Sequence, residues 1–248
     1  MTAEFPAFAI IIAILITVLG AGIVKGSLGI GFPAVAMSIL PIIIEPALAV
    51  AIMSLPIVIT NGQQFLSIKG WFPIIKRFLW AGGSLFISIF IVSQFLADVP
   101  SRWINVLVGM SLVVFAVSAL FRVKLHLTED RRWQILVGIT AGFFGGVSAV
   151  KAPVMIYTVA LDLPRDEFIA AAGFLFFCGG VGMVGGLVTA NLANSVTLTL
   201  SLSAVFAGLA GFHVGARIRQ HLSAAMFRGI LLWAMLALGL RQVIVNLI

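Results

Sequence analysis

Charged residues are scarce in this chain of 248 residues: only 9% are Asp, Glu, Lys or Arg, whereas 62% are hydrophobic. Soluble domains are about 25% charged and about 45–50% apolar, so these residues could not cover the surface of a soluble fold. The mean hydropathy of +1.22 leads to the same conclusion. A soluble enzyme, a nucleic-acid-binding protein and a disordered chain are therefore excluded, and we expect an all-α polytopic membrane protein surrounded by membrane lipid.

Residue types that carry enzyme chemistry are also few. The single cysteine, Cys178, excludes an intrachain disulfide and a CxxC redox or metal motif. The three histidines form no HExxH motif, and the chain has no Walker or GxSxG motif. The sequence therefore predicts no enzyme activity, no cofactor, no metal site and no use of ATP.

Basic residues predict the orientation of the chain, because Lys and Arg concentrate in cytoplasmic loops. One orientation places eleven of the 15 Lys and Arg residues inside, with Arg102 and Arg241 outside and Lys25 and Lys151 within membrane segments. It predicts a multi-pass protein of the cytoplasmic (inner) membrane with both termini outside. The inner set is Lys69, Lys76, Arg77, Arg122, Lys124, Arg131, Arg132, Arg165, Arg217, Arg219 and Arg228.

Two apolar stretches, residues 5–44 and 133–162, are each broken by a glycine-rich segment that ends in proline. The second stretch gives about 45 Å of helix, which is too short for two crossings of a core of about 30 Å. At least one arm is therefore short or re-entrant. Each broken hairpin precedes three apolar helices, and residues 69–77 are predicted to be a basic loop.

The halves 1–124 and 125–248 correspond at an offset of 120 residues. Ala21, Gly22, Gly26 and Pro33 match residues of the same type at positions 141, 142, 146 and 153. The predicted orientation makes the two halves inverted repeats of a single membrane transport domain, an architecture that many secondary transporters share.

Pro33 and Pro153 each favour the start of a half-helix, because proline suits the first turn of a helix. Both N-termini would point toward the middle of the protein, where their free N–H groups and partial positive charge attract anions. Gly31 belongs to the first break. The alternative interpretation is that the glycines only permit close packing of helices.

Lys25 and Lys151 lie in or beside the breaks, and a lysine in the membrane core marks a functional site by default. Snorkelling to the membrane surface is the alternative, above all for Lys25. The two lysines occupy non-equivalent places in the repeat, so they need not share one ligand.

Other polar side chains complete the candidate site. Asn61 and Gln64 belong to a polar run that indicates either a water-filled cavity or hydrogen bonding between helices. Ser27 and Ser148 lie in the breaks and either donate to an anion or bond back to their own helices. His213 is a candidate proton-coupling residue or an ordinary interfacial histidine.

The two segments GAGIVKGSLGIGFPAVAMSIL and GITAGFFGGVSAVKAPVMIY resemble the glycine-rich motifs of the TauE/SafE-like permeases, the sulfite exporter family. The resemblance covers length, duplicated halves, a basic central loop and the motif at the head of each half. It implies transport of a small sulfur-containing anion, such as sulfite, thiosulfate or an organosulfonate. Many members have more glycines where Lys25 and Lys151 stand, which strengthens the case for an anion here.

Together these observations predict a secondary transporter that moves a small sulfur-containing anion by alternating access, as a monomer or a homodimer. An anion channel and a non-transporting assembly or sensor protein are the alternatives. The predicted substrate-binding residues are Lys151, Lys25, Ser27, Ser148, Gly31, Pro33, Pro153, Asn61 and Gln64.

Overall fold

The computed structural model describes residues 6–121, 127–218 and 224–248, and every regular element among them is a helix. The helices are α1 Phe8–Leu28, α2 Phe32–Ile43, α3 Pro46–Leu66, α4 Trp71–Arg77, α5 Leu79–Gln94, α6 Ser101–Leu120, α7 Arg131–Ser148, α8 Ala152–Ala160, α9 Arg165–Thr189, α10 Ser195–Ile218 and α11 Ala224–Leu247.

Six of these helices, α1, α3, α6, α9, α10 and α11, are long and apolar enough to cross a membrane. Helices α4 and α5 meet at a bend of 72° and together form a seventh candidate span. The prediction of an all-α polytopic membrane protein is confirmed. Of the predicted cytoplasmic residues, Arg122, Lys124 and Arg219 lie outside the described residues.

Both predicted breaks are present. Helix α1 ends at Leu28 and α2 begins at Phe32, while α7 ends at Ser148 and α8 begins at Ala152. In each half the proline is the second residue of the new helix. The 12 residues of α2 and the 9 residues of α8 span about 18 Å and about 14 Å. Neither length crosses a hydrocarbon core of about 30 Å.

The prediction that residues 69–77 form a loop is wrong, because Trp71–Arg77 is a short helix. Gly70, with φ of 82°, precedes it in the left-handed conformation. Lys76 and Arg77 lie in its last turn, where positive charge is favourable next to the negative end of the helix dipole. Basic residues at this place therefore support a helix that ends at the surface.

Prolines inside α2 and α3 each leave a backbone carbonyl without its helical hydrogen bond, and side chains of α10 and α11 bond to these carbonyls. Pro56 removes the N–H that would bond to the Ile52 carbonyl, and that carbonyl accepts a hydrogen bond from Ser201 Oγ of α10 at 2.7 Å. Pro41 likewise frees the Met37 carbonyl, which lies 3.3 Å from Gln242 Nε2 of α11. Side chains from the second half thus satisfy backbone groups that prolines leave free in the first.

Contacts between helices repeat between the two halves. Helix α1 packs against α10 as α7 packs against α5, and α3 packs against α10 as α9 packs against α5. Gly22 of α1 faces Gly208, and Gly142 of α7 faces Ser88. Positions 22 and 142 differ by 120, and so do positions 88 and 208. The offset found in the sequence therefore also relates the packing partners of the two halves.

Candidate functional site

A cavity lies beside the first break, between the two halves of the chain. Its empty volume is about 270 Å³, part of which is open to the surroundings. The residues that line it are Lys25, Gly29, Ile30, Gly31, Phe32, Pro33, Asn61, Gln64, Met155, Ala172, Gly173 and Phe176.

Lys25 supplies the only formal charge among these lining residues, and it is 2% exposed. Its Nζ donates to Asn61 Oδ1 at 2.7 Å and to Thr60 Oγ1 at 3.1 Å. Both acceptors are neutral, so they position the ammonium group without cancelling its charge. The third N–H of the ammonium has no acceptor among the described residues.

The acceptors of Lys25 are themselves held by α3. Asn61 Nδ2 donates to the Ile57 carbonyl at 2.7 Å, which leaves Oδ1 directed at the lysine. Thr60 Oγ1 donates to the Pro56 carbonyl at 2.7 Å and keeps a lone pair for Nζ. The position of the charge is therefore fixed by one turn of α3. The Lys25 side chain is buried among the helices, so it does not snorkel to a membrane surface.

The backbone of the first break offers further hydrogen-bond donors. Gly29 and Gly31 have φ of 83° and 95°, a left-handed conformation that glycine adopts without steric cost. Among the described residues, the N–H groups of Ile30, Gly31 and Phe32 donate no hydrogen bond to the protein. Turns of alternating handedness with free N–H groups form concave anion sites. Gln64 Nε2 holds the break in place by donating to the Gly29 carbonyl at 2.9 Å.

The second break is closed by its own side chains. The Val150 N–H donates to Ser148 Oγ at 3.1 Å, and Ser148 Oγ donates to the Phe144 carbonyl at 2.7 Å. Lys151 is 1% exposed and does not line the cavity. Its side chain packs against Gly145 and Gly179, where an added Cβ would lie 2.8 Å and 2.6 Å from lysine carbons.

Five of the predicted binding residues line one cavity: Lys25, Gly31, Pro33, Asn61 and Gln64. The other predicted residues lie elsewhere. Ser27 Oγ bonds to the Ile23 and Gly215 carbonyls at 2.9 and 3.1 Å, so it joins α1 to α10. Ser148 and Pro153 belong to the closed second break.

His213 lies on α10 and is exposed, with Nδ1 2.7 Å from the Leu209 carbonyl. It does not line the cavity beside the first break. A proton-coupling role for His213 stays a prediction, and it would need a path separate from that cavity.

Sequence reasoning did not identify the cavity residues of the second half, namely Met155, Ala172, Gly173 and Phe176. Ala172, Gly173 and Phe176 belong to α9, whose apolar and small residues are typical of membrane helices generally. Only the packing of α9 against α3 brings them to the cavity. Phe32 and Gly29, in contrast, could have been found from their place in the glycine-rich break.

Comparison with known proteins gives one family. No curated protein and no solved structure matches the chain significantly. The profile of the sulfite exporter TauE/SafE family matches residues 14–242, nearly the whole chain and both breaks. The chain therefore belongs to the sulfite exporter TauE/SafE family and is a multi-pass membrane transport protein.

Proposed function

We propose that the protein is a secondary transporter that carries a small sulfur-containing anion across the cytoplasmic membrane, and that the cavity beside the first break is its substrate site. The observation that carries this proposal is the convergence of the Lys25 ammonium group with the free N–H groups of the break. No carboxylate is among the described lining residues. A cavity of this kind favours an anion over a cation or a neutral solute.

Electrostatics explain why the anion would be held. Burying a lysine in a membrane costs about 2.5–3.5 kcal/mol on insertion scales. An anion about 4 Å from the ammonium group gains about 4 kcal/mol at an effective dielectric constant near 20. Substrate binding thus offsets much of the cost of burying Lys25, and the break supplies hydrogen bonds without further rearrangement.

The sulfur chemistry of the substrate rests on family membership. Sulfite, thiosulfate and organosulfonates share several oxygen acceptors on one sulfur and a negative charge. Such a group matches the several donors that face the cavity. The free N–H groups of Ile30, Gly31 and Phe32 would bind its oxygens while Lys25 neutralises its charge.

Alternating access would follow from the two halves, 1–124 and 125–248, acting as inverted repeats. The packing of α1 and α3 against α10, which repeats in the packing of α7 and α9 against α5, supports this proposal. So does the difference between the breaks, since the first borders a cavity while the second is closed by Ser148 and Lys151. Movement of one half against the other would exchange these two arrangements.

A screen of purified protein with sulfite, thiosulfate, sulfate, sulfoacetate, isethionate, taurine and matched carboxylates tests the function. We expect selective thermal stabilisation by one or more sulfur anions, since a ligand at 100 times its dissociation constant adds about 2.7 kcal/mol. The stabilising anion should then show saturable exchange in proteoliposomes. Steady voltage-driven current without exchange would instead indicate a channel, and absence of both stabilisation and flux would contradict transport.

The proposed orientation makes a separate prediction about topology. In a Cys178→Ala background, a cysteine placed at Ile248 should react with an impermeant thiol reagent added outside intact cells. A cysteine at Lys69 should react only after the inner face is opened, because this exposed lysine is placed in the cytoplasm. The reverse pattern would overturn the orientation derived from the positive charges.

A further inference from the structure

We propose that the Phe176 side chain separates two anion-binding lysines on one transport path. Lys25 lies in the cavity, and Lys151 lies on the other side of the Phe176 ring. This inference rests on the proposed function, because it describes how an anion would leave the cavity. It gives Phe176 the role of a movable partition, and it gives Lys151 a second anion site of its own.

Phe176 lies between the cavity that Lys25 lines and the ammonium group of Lys151. It is 9% exposed on α9 and lines the cavity that contains Lys25. The Nζ atom of Lys151, which does not line that cavity, lies 5.4 Å from the centroid of the Phe176 ring. The same ring is therefore part of the cavity wall and part of the surroundings of the second ammonium group.

Lys151 has few partners of its own. It is 1% exposed, and among the described residues its Nζ donates only to the Ala149 carbonyl, at 3.4 Å. No ion pair to Lys151 exists in the described part of the chain. A buried lysine with a neutral acceptor and N–H groups to spare is suited to a second anion, and intramembrane charges of this kind mark functional sites.

The glycines around Lys151 show that the fold makes room for this side chain. Gly145 and Gly179 contact its carbon stem, and any added Cβ would meet it at under 3 Å. The offset of 120 places Gly145 opposite Lys25 and Lys151 opposite Gly31. The first half thus has lysine at the first of these two positions and glycine at the second, whereas the second half has glycine at the first and lysine at the second. Each half therefore has one lysine, at a different place in the repeat.

The ring is a barrier for an anion and a support for a lysine. The face of an aromatic ring carries negative potential, so it attracts an ammonium group and repels an anion. With the ring in place, Phe176 stabilises Lys151 and blocks passage from the cavity. Ala172 and Gly173, which line the cavity on the preceding turn of α9, place no bulky side chain next to the ring.

Cysteine labelling tests the partition without knowledge of the natural substrate. In a Cys178→Ala background, Lys151→Cys is treated with anionic 2-sulfonatoethyl methanethiosulfonate or with its trimethylammonium analogue. We expect slow modification when Phe176 is present, and a rate at least about tenfold higher, equivalent to about 1.4 kcal/mol, after Phe176→Ala. The acceleration should be larger for the anionic reagent, because Lys25 lies on its path.

Phe174→Ala is the matched control. Phe174 is 6% exposed on the same helix and contacts Phe65, but it does not line the cavity. The Phe174→Ala substitution removes the same atoms as Phe176→Ala, so a general loosening of α9 would accelerate labelling equally in the two variants. Phe176→Leu, which keeps apolar bulk but loses the ring, provides a milder variant if the alanine variant does not fold.

Equal labelling rates in the Phe176→Ala and Phe174→Ala variants would overturn the partition, as would fast labelling of Lys151→Cys with Phe176 intact. The partition would also be overturned if Phe176→Ala accelerated labelling by the anionic and the cationic reagent equally. None of these readouts requires transport by the wild-type protein. Failure of flux in proteoliposomes would therefore refute the transporter alone, while failure of the labelling pattern would refute the partition alone.

Discussion

Lys25→Met is expected to weaken anion binding by at least about 30-fold, equivalent to about 2 kcal/mol, and to abolish saturable flux at ordinary substrate concentrations. Methionine keeps much of the length and apolar volume of lysine but removes the ammonium group. The free N–H groups of the break remain, so weak binding persists. Isothermal titration with the anion that stabilises the wild-type protein measures the loss directly.

Lys69→Met is the matched control, because Lys69 is exposed and lies outside the cavity. It removes the same charge from the protein and should leave affinity unchanged at ordinary ionic strength. Lys25→Met should fold at least as well as the wild type, since removal of an unpaired buried charge is often neutral or stabilising. Unchanged affinity in a folded Lys25→Met variant would move the substrate site away from the first break.

Local chemistry determines the two breaks and the membrane helices, so these features could be predicted from the sequence. The breaks at Pro33 and Pro153 were predictable, because proline and left-handed glycines act within a few residues of their own position. The membrane helices were predictable from apolar length. The short helix Trp71–Arg77 was missed because its apolar residues are too few for a span and its charges resemble those of a loop.

The polar residues of the cavity were predictable from the sequence, but its apolar residues from the second half were not. Lys25, Asn61 and Gln64 are exceptional in a membrane segment, and the structure brings all three to one cavity. Lys151 is equally exceptional, yet it does not line that cavity, and its ammonium group lies beside the Phe176 ring of α9. Phenylalanine is common in this chain, with 20 copies, and nothing in the sequence distinguishes Phe176, which lines the cavity and lies next to Lys151.

Gly26→Ala is expected to be the most destabilising single-methyl substitution in α1. An added Cβ would lie 2.1 Å from the Phe212 carbonyl oxygen and 2.8 Å from the Ala216 nitrogen, both backbone atoms of α10. No rotation of a side chain relieves these contacts, so α1 and α10 must separate. Overpacking of a core typically costs about 1–3 kcal/mol, and a backbone clash belongs at the upper end of that range.

Two further glycines make this prediction a graded series in one protein. At Gly20 nothing lies within 4 Å of an added Cβ, so Gly20→Ala should keep or raise the melting temperature, because alanine favours helix by about 1 kcal/mol. At Gly146, the counterpart of Gly26, an added Cβ would meet Val92 Cγ1 at 2.7 Å and Val92 Cβ at 2.8 Å. The nearest backbone atom of α5, Ser93 N, is 3.5 Å away. Because the clash is with one side chain and not with backbone, Gly146→Ala should be intermediate.

Thermal unfolding of the three purified variants in the same detergent should therefore rank Gly26→Ala below Gly146→Ala and Gly146→Ala below Gly20→Ala. Because Gly26 adjoins Lys25, the separation of α1 from α10 should also displace the ammonium group from Thr60 and Asn61. Gly26→Ala should thus lose anion affinity together with stability. A Gly26→Ala variant as stable as Gly20→Ala would mean that α1 and α10 are farther apart than the structure places them.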